Sequence, residues 1–357
     1  MNKKIFIPGV FTHTVGVDMF EAAPNVELIW GLPDSGRTYE DADLSDFDEL
    51  LKLSQSRLDE YLPEIHALHA MGLRGHLPVT AEMMDRAKNL EIIFIQAAGA
   101  DSIDIAAATE RGILVLNAPG ANASAVSEHA TALMLALARK VALADRYAHQ
   151  DQKTNAGQIY GLKVGPSLLS KKNLGILGFG YIGRSLAKIA QYGFDMNISV
   201  YDPYFDPIEA ERLGFRLVEL DELLATSDFV SVHAPLTAGT ANIINKETLA
   251  LMKPTAYLIN TARGGLVNTD DLVSALETGT IAGAGLDVTE PEPLPQGHRL
   301  FQLDNVVITP HTANVSAESK EATSRISTQL VLDAWAGRRP SQMLNAKVWD
   351  SFLHKQK

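Results

Sequence analysis

The stretch NLGILGFGYIG, Asn173 to Gly183, begins as a short apolar run, breaks into glycines and resumes as a helical pattern. It reads as a strand, a tight turn and a helix start. Gly178, Gly180 and Gly183 are spaced G-x-G-x-x-G, and each has its own task in such a turn: a sharp exit from the strand, close approach of backbone to a pyrophosphate, and close packing of helix on sheet. The first-turn N–H groups, including those at Tyr181 and Ile182, then face the phosphates with the positive end of the helix dipole. Taken alone, the spacing also fits a purely structural turn. Its surroundings are more specific. The helical pattern from Arg184 to Tyr192 stops at Gly193, an apolar strand covers Ile198 to Tyr201, and Asp202 follows it. An acid about 20 residues after the glycines can accept hydrogen bonds from ribose hydroxyls, so a dinucleotide site is expected here.

Outward from that turn, 357 residues exceed one ordinary core, and two domains are expected. Hydrophobic residues at 46% and charged residues at 21% are globular values, which exclude a disordered or fibrous chain. A net charge of −12 disfavours nucleic acid or an anionic membrane as partner, while an anionic small molecule stays open because local cations decide that. With no cysteine there is no disulfide, thiolate metal site or cysteine nucleophile, which fits a cytoplasmic protein, and no metal site is expected. MNKKIFIPGVF at the start reads as a first strand rather than a signal peptide. The most apolar helix, Ala130 to Ala144, carries Arg139 and Lys140 and is too short to span a bilayer.

Before the glycine turn, apolar runs alternate with helical patterns: Ile5 to Pro8, Val26 to Trp30, a helix from Asp46 to Leu53, Ile65 to Met71, a helix from Ala81 to Lys88, Ile92 to Ile95 and Ile113 to Leu116. Such alternation predicts a parallel sheet covered on both faces. A single Ala- and Leu-rich helix is expected from about Ser124 to Ala148, able to bridge two domains. Gln150 to Lys172, dotted with Gly157, Gly161, Gly165 and Pro166, reads as a loop. Seven more strands are expected between Asn173 and Thr309, and then a helix from Ser316 to about Ala336. Too few strands remain for a third core, so the tail is expected to pack back onto the first domain. The expected fold is α/β, two doubly wound parallel-sheet domains. The dinucleotide-binding domain spans 122–315, inserted in a discontinuous domain of 1–121 and 316–357.

Open parallel sheets bind ligands beyond the carboxyl ends of their strands. The polar residues just past the expected strands of the second domain are Asp202, His233, Arg263, Asp287 and His311. Chemistry on a hydroxyl needs a proton acceptor, a cation near the developing carbonyl oxygen and an anchor for substrate. His311, in Thr-Pro-His, suits the first because imidazole titrates near neutrality; the competing reading is a capping or surface histidine. A carboxylate that fixes the imidazole would favour the catalytic reading, and the loop DVTEPEPLP offers both Glu290 and Glu292, which spacing does not separate. Arg263, in TARGGLV, can hold a carboxylate and a carbonyl oxygen together, although a surface arginine in a β-α turn has the same local sequence. In the first domain Ala98, Gly99 and Ala100 follow a strand and offer a small anion nest. Arg74 follows another strand; a substrate-side cation and a solvated surface residue are both open there.

These residues stand in stretches with a wider likeness: AAGADSIDIAAATERGILVLNAPGANASAVSEHA, LGILGFGYIGRSLA, VYDPY, VSVHAPLT, LINTARGGLVNTDDLVSAL, AGAGLDVTEPEP and VVITPHTA, in order across most of Ile92 to Ala313. The chain resembles the D-isomer-specific 2-hydroxyacid dehydrogenases. The resemblance implies a Rossmann NAD-binding domain and a flavodoxin-like substrate domain, interconversion of a D-2-hydroxy acid and its 2-oxo acid, and NAD in preference to NADP, since Asp202 is followed by Pro203. It makes His311 the acid/base, Glu292 rather than Glu290 its orienting partner, and Arg263 the substrate-binding cation. It extends the cofactor site over Gly178, Gly180, Tyr181, Ile182, Gly183, Asp202, His233, Ala234, Pro235, Thr261, Ala262 and Asp287, and substrate binding over Arg74, Ala98, Gly99, Ala100 and Arg263. A homodimer is implied too. An NAD(H)-sensing interaction protein of the same fold, similar to the family's transcriptional co-repressors, is the alternative. Formate-oxidising relatives carry glutamine where Glu292 stands, which counts against that activity. The chain departs from the family pattern in a long Gln150–Lys172 segment without tryptophan and in Ser127, where alanine is common.

Overall fold

The computed structural model describes residues 2–32, 38, 46–72, 75–151, 157, 159 and 161–355. The chain forms two compact units, Met1–Asn122 with Ser316–Lys357, and Ala123–Val315.

The first unit holds β1 (Lys3–Ile7), β2 (Val26–Trp30), β3 (Ala67–His69), the short antiparallel pair β4 (Met71–Gly72) and β5 (Gly75–His76), β6 (Ile92–Phe94) and β7 (Leu114–Leu116). Its sheet is parallel throughout, in the order β2-β1-β3-β6-β7. Alternate residues of these strands feed two cores, Phe6, Leu68, Ile93 and Val115 on one face, and Ile5, Ile7, Phe94 and Leu116 on the other. Burial on both faces explains why the strands are short, continuous apolar runs. The C-terminal segment covers the second face: Val331, from helix Ala317–Trp335, and Phe352 are buried in it, each worth about 1.5–3 kcal/mol of hydrophobic burial. Polar contacts fix its register. Leu344 donates its N–H to the Val115 carbonyl at 2.9 Å, and the Asn345 side chain accepts from Val115 N and donates to the Ile113 carbonyl, both at 2.9 Å. Arg74 lies outside the described residues.

The second unit is a seven-stranded parallel sheet of β8 (Asn173–Leu177), β9 (Asn197–Tyr201), β10 (Arg216–Leu217), β11 (Phe229–Val232), β12 (Tyr257–Asn260), β13 (Gly283–Leu286) and β14 (Val306–Ile308). Its order, β10-β9-β8-β11-β12-β13-β14, reverses direction beside β8. This is the doubly wound order of dinucleotide-binding sheets, whose ligands lie at the switch point between the first and fourth strands. Here that point is between β8 and β11.

The single helix expected from Ser124 to Ala148 is in fact two, Ala123–Ala138 and Val141–Asp151. The break falls at Lys140, whose φ of 58° is left-handed. No glycine or proline marks it. The Lys140 side chain is buried instead, donating from Nζ to the Tyr257 hydroxyl at 3.0 Å and lying 5.0 Å from that ring's centre. No helix of the described residues is long and apolar enough to cross a membrane. Of the Gln150–Lys172 segment, positions 152–156, 158 and 160 lie outside the described residues.

Candidate active site

At the switch point, Gly178 leaves β8 with φ of 94°, and a Cβ there would stand 2.5 Å from the Ala234 backbone nitrogen, so only glycine lets the turn lie against the end of β11. Gly180 then caps helix Tyr181–Phe194 without any side-chain hydrogen bond, and the space a Cβ would occupy at Gly180 is open. A fourteen-residue helix with an uncapped first turn over open space is a ready anion site. Asp202, at the end of β9, accepts from the N–H of Phe179 at 2.8 Å and of Tyr204 at 3.0 Å, one on each oxygen. Each oxygen keeps further acceptor capacity, so the acid both ties down the glycine turn and can take a hydroxyl.

Two further polar atoms point to a ligand at the same edge. His233 follows β11; its Nε2 is 2.8 Å from Ser231 Oγ, while its buried Nδ1 has no hydrogen-bond partner among the described residues. Burial pushes its imidazole down to about 4, so the ring is neutral. Thr261, after β12, is buried with Oγ1 likewise unpartnered among the described residues. Native proteins seldom leave buried polar groups unsatisfied, and a cofactor amide or hydroxyl would complete both. Ala234, Pro235 and Ala262 supply backbone beside them. Glycine turn, uncapped helix, acid and orphaned polar atoms together fit a dinucleotide.

Next along the edge, Arg263 and the loop after β13 are held together by a glycine. A Cβ at Gly264 would overlap the Thr289 carbonyl, so only glycine lets the Arg263 loop touch the segment leading to Glu292. Thr269 Oγ1 donates to the Glu290 carbonyl at 2.5 Å and fixes the same contact. Arg263 Nη1 donates to its neighbour's carbonyl, Ala262 O, at 2.7 Å, and Asn260 Nδ2 donates to the Arg263 carbonyl at 2.8 Å. It is Glu292, not Glu290, whose carboxylate meets the histidine: His311 Nδ1 donates to Glu292 Oε1 at 2.5 Å.

The Glu292 hydrogen bond raises His311 above its ordinary 6.5; burial opposes this, the Glu292 and Asp287 charges add to it, and Arg263 subtracts. For Glu292, burial pushes upward, but the His311 hydrogen bond and charge, the Thr289 backbone N–H and the Arg263 charge together hold the carboxyl below its ordinary 4.5. The arrangement is an imidazole oriented through Nδ1 and biased toward its protonated form, with Nε2 left to exchange a proton and a guanidinium close enough to be felt by both.

His311 has φ of 54°, which a β-carbon makes costly and which persists only where surroundings over-determine it. Asp287, 2% exposed at the end of β13, provides that constraint. Its carboxylate accepts from Thr309 Oγ1 at 2.6 Å and from the N–H of Thr312 and Ala313, each at 2.9 Å, while its carbonyl accepts from His311 N at 2.8 Å. The family likeness assigns Asp287 to the cofactor; its visible work is to hold the His311 loop. His129 joins this group through Thr309 Oγ1 at 2.8 Å. Sequence reasoning passed over both: nothing local marks a histidine 180 residues from its partner.

In the first unit, the turn after β6 is secured through its carbonyls. Ala118 N donates to Ala97 O, Asn117 Nδ2 to Ala98 O and Ile103 N to Ala100 O. Those contacts engage the carbonyls of Ala97, Ala98 and Ala100 and fix the turn around Gly99. Elsewhere, a cavity of about 400 Å³ lined by Lys140, Lys163, Thr255 and Asn305 opens at the amino-terminal ends of β12–β14, away from Asp202, His233, Arg263, Glu292 and His311.

Residues 131–313 match the family described as D-isomer specific 2-hydroxyacid dehydrogenase, NAD binding domain. The chain belongs to this family. A glyoxylate reductase of Thermofilum pendens is 42% identical over 272 residues, 76% of this chain and 79% of that one. A D-3-phosphoglycerate dehydrogenase of Archaeoglobus fulgidus is 40% identical over 283 residues, 79% of this chain but 52% of that protein, so the chain spans about half that relative's length. A solved structure from Thermus thermophilus has a TM-score of 0.78 at 32% identity, with 96% of this chain and 99% of that chain covered. The second unit thus carries the family's NAD-binding domain, and NAD is its cofactor.

Proposed function

We propose that the chain reduces a small 2-oxo acid to the D-2-hydroxy acid and, in reverse, oxidises the hydroxy acid. The contact between His311 Nδ1 and Glu292 Oε1, with Arg263 beside it, carries this reading. NADH, when bound, supplies hydride to the carbonyl carbon. His311, kept protonated by Glu292, gives its Nε2 proton to the carbonyl oxygen, so hydride and proton together make the hydroxyl. Arg263 holds the substrate carboxylate and offsets negative charge growing on the oxygen. Backbone N–H groups at Ala98, Gly99 and Ala100, and Arg74, are assigned to substrate binding. The domain of 1–121 and 316–357 takes the substrate role and 122–315 the cofactor role, in a cytoplasmic homodimer.

Glyoxylate is the first substrate to test, because a glyoxylate reductase is matched over most of its length whereas the phosphoglycerate enzyme is matched over half. The experiment follows NADH oxidation, and separately NADPH oxidation, over a panel of small, branched, aromatic and phosphorylated 2-oxo acids. The expected result is turnover concentrated on the small acids with NADH. A flat response across the panel would overturn the enzyme reading in favour of an NAD(H)-sensing interaction protein.

A further inference from the structure

We propose that His129, acting through the Thr309 hydroxyl, is a positioning residue for the loop that carries His311. The inference rests on the reading of His311 as the acid/base, and it begins from hydrogen-bond direction. Thr309 Oγ1 lies 2.6 Å from Asp287 Oδ1 and 2.8 Å from His129 Nε2. A threonine hydroxyl has one hydrogen, and Asp287 accepts in every hydrogen bond described for its side chain. The hydroxyl therefore gives its hydrogen to Asp287 and accepts one from His129, which places the His129 proton on Nε2. At 3.6 Å, His129 Nε2 is too far from Asp287 Oδ1 for a direct hydrogen bond, so Thr309 is the link.

The far end of this chain is the strained backbone of His311. Asp287 holds Thr309 on one side of it and Thr312 and Ala313 on the other. A carboxylate can do this only while its own rotamer is fixed, and the Thr309 bond, oriented by His129, is the contact that reaches Asp287 from helix Ala123–Ala138. Removing the Thr309 hydroxyl leaves the His129 donor unpaired and Asp287 Oδ1 with the Thr312 N–H but no tie to Thr309 or His129, and frees the loop to relax away from Glu292.

The experiment uses the full chain with Thr309→Val, Thr309→Ser, His129→Ala, His129→Gln and the Thr309→Val/His129→Ala double variant. Thr309→Val is expected to lower kcat by on the order of 10²-fold, as misplacement of a catalytic group by about 1 Å can, with KM and NADH affinity little changed. Thr309→Ser restores kcat because it restores the hydroxyl. His129→Gln exceeds His129→Ala because an amide N–H can replace Nε2–H. The double variant is no worse than Thr309→Val alone, since both act through one link. If the valine variant fails to fold, the serine and His129 variants still decide the matter. The His311 imidazole, titrated by NMR, gives a readout independent of turnover: its pKa falls toward 6.5 in Thr309→Val and recovers in Thr309→Ser. Absence of turnover in the unmodified chain would defeat the proposed function alone. An unchanged His311 titration, or additive losses in the double variant, would overturn this inference.

Discussion

His69 is the last residue of β3 in the first unit and His311 lies three residues past β14 in the second, so each stands toward the carboxyl end of a parallel strand. Their chemistry is opposite. His69 is 0% exposed and stacked between Phe11 and Phe94, 4.9 and 5.0 Å from their ring centres, and neither ring nitrogen has a hydrogen-bond partner among the described residues. Burial pushes its imidazole down to about 3, so it is a neutral aromatic filler. His311 has 46% of its side chain exposed, stands on a carboxylate and titrates above its ordinary value. A strand-end position brings a histidine to the edge where ligands bind, but the partner decides whether it works as an acid.

The largest expected effect tests the working member of the pair. His311→Asn should lower kcat by about 10²- to 10⁴-fold, the usual contribution of a positioned acid–base group, while NADH binding, followed by fluorescence, is retained. Near-unmodified turnover in that variant would break the comparison at once. Glu292→Gln tests the partner: it keeps an oxygen to accept from Nδ1 but removes the charge, and a loss of about 10²-fold at neutral pH is expected. Reduction needs His311 protonated, so its rate falls as pH rises through the raised His311 pKa. In Glu292→Gln that limb should move to lower pH, toward 6.5. An unmoved limb would show that the carboxylate does not set the proton. Stability responds with the matching signs. The His311 contribution is full below 6.5 and is lost as pH rises through its raised folded value; that of Glu292 is full above 4.5 and is lost as pH falls through its lowered one. With both side chains more than a third exposed, screening keeps this contribution small, below about 1 kcal/mol.

What could be read beforehand divides along the same line. The glycine turn, Asp202 and the alternation of strands with helices were legible because a doubly wound fold writes them into local spacing: an apolar run, fixed glycines, and an acid one strand later; the spatial order of the strands was not. Arg263 and His311 were legible as polar residues just past apolar runs. The choice between Glu290 and Glu292 was not available from spacing, since both lie on one proline-rich loop; it rests on where Gly264 lets two loops touch. His129 and Thr309 were missed because their contact spans 180 residues and each alone looks like a helix residue and a strand end. The helix break at Lys140 was missed because it depends on a buried partner, Tyr257, rather than on a glycine or proline.

The smallest effect concerns His69, where the comparison predicts a penalty rather than an activity. Its folded value is near 3 and its unfolded value 6.5, so the unfolded chain binds the proton first and stability is lost as pH falls below 6.5. Linkage sets the loss at about 1.4 kcal/mol per pH unit over that interval, or roughly 2 kcal/mol at pH 5. His69→Leu, of similar volume and without a titrating group, should unfold at nearly the unmodified urea midpoint at pH 7.5 and at a higher one at pH 5. Equal midpoints at both pH values would show that the ring is charged or partnered in the folded chain, and the contrast with His311 would fail. A variant less stable at pH 7.5 but with a flatter pH dependence would keep the contrast and locate the cost in packing against Phe11 and Phe94.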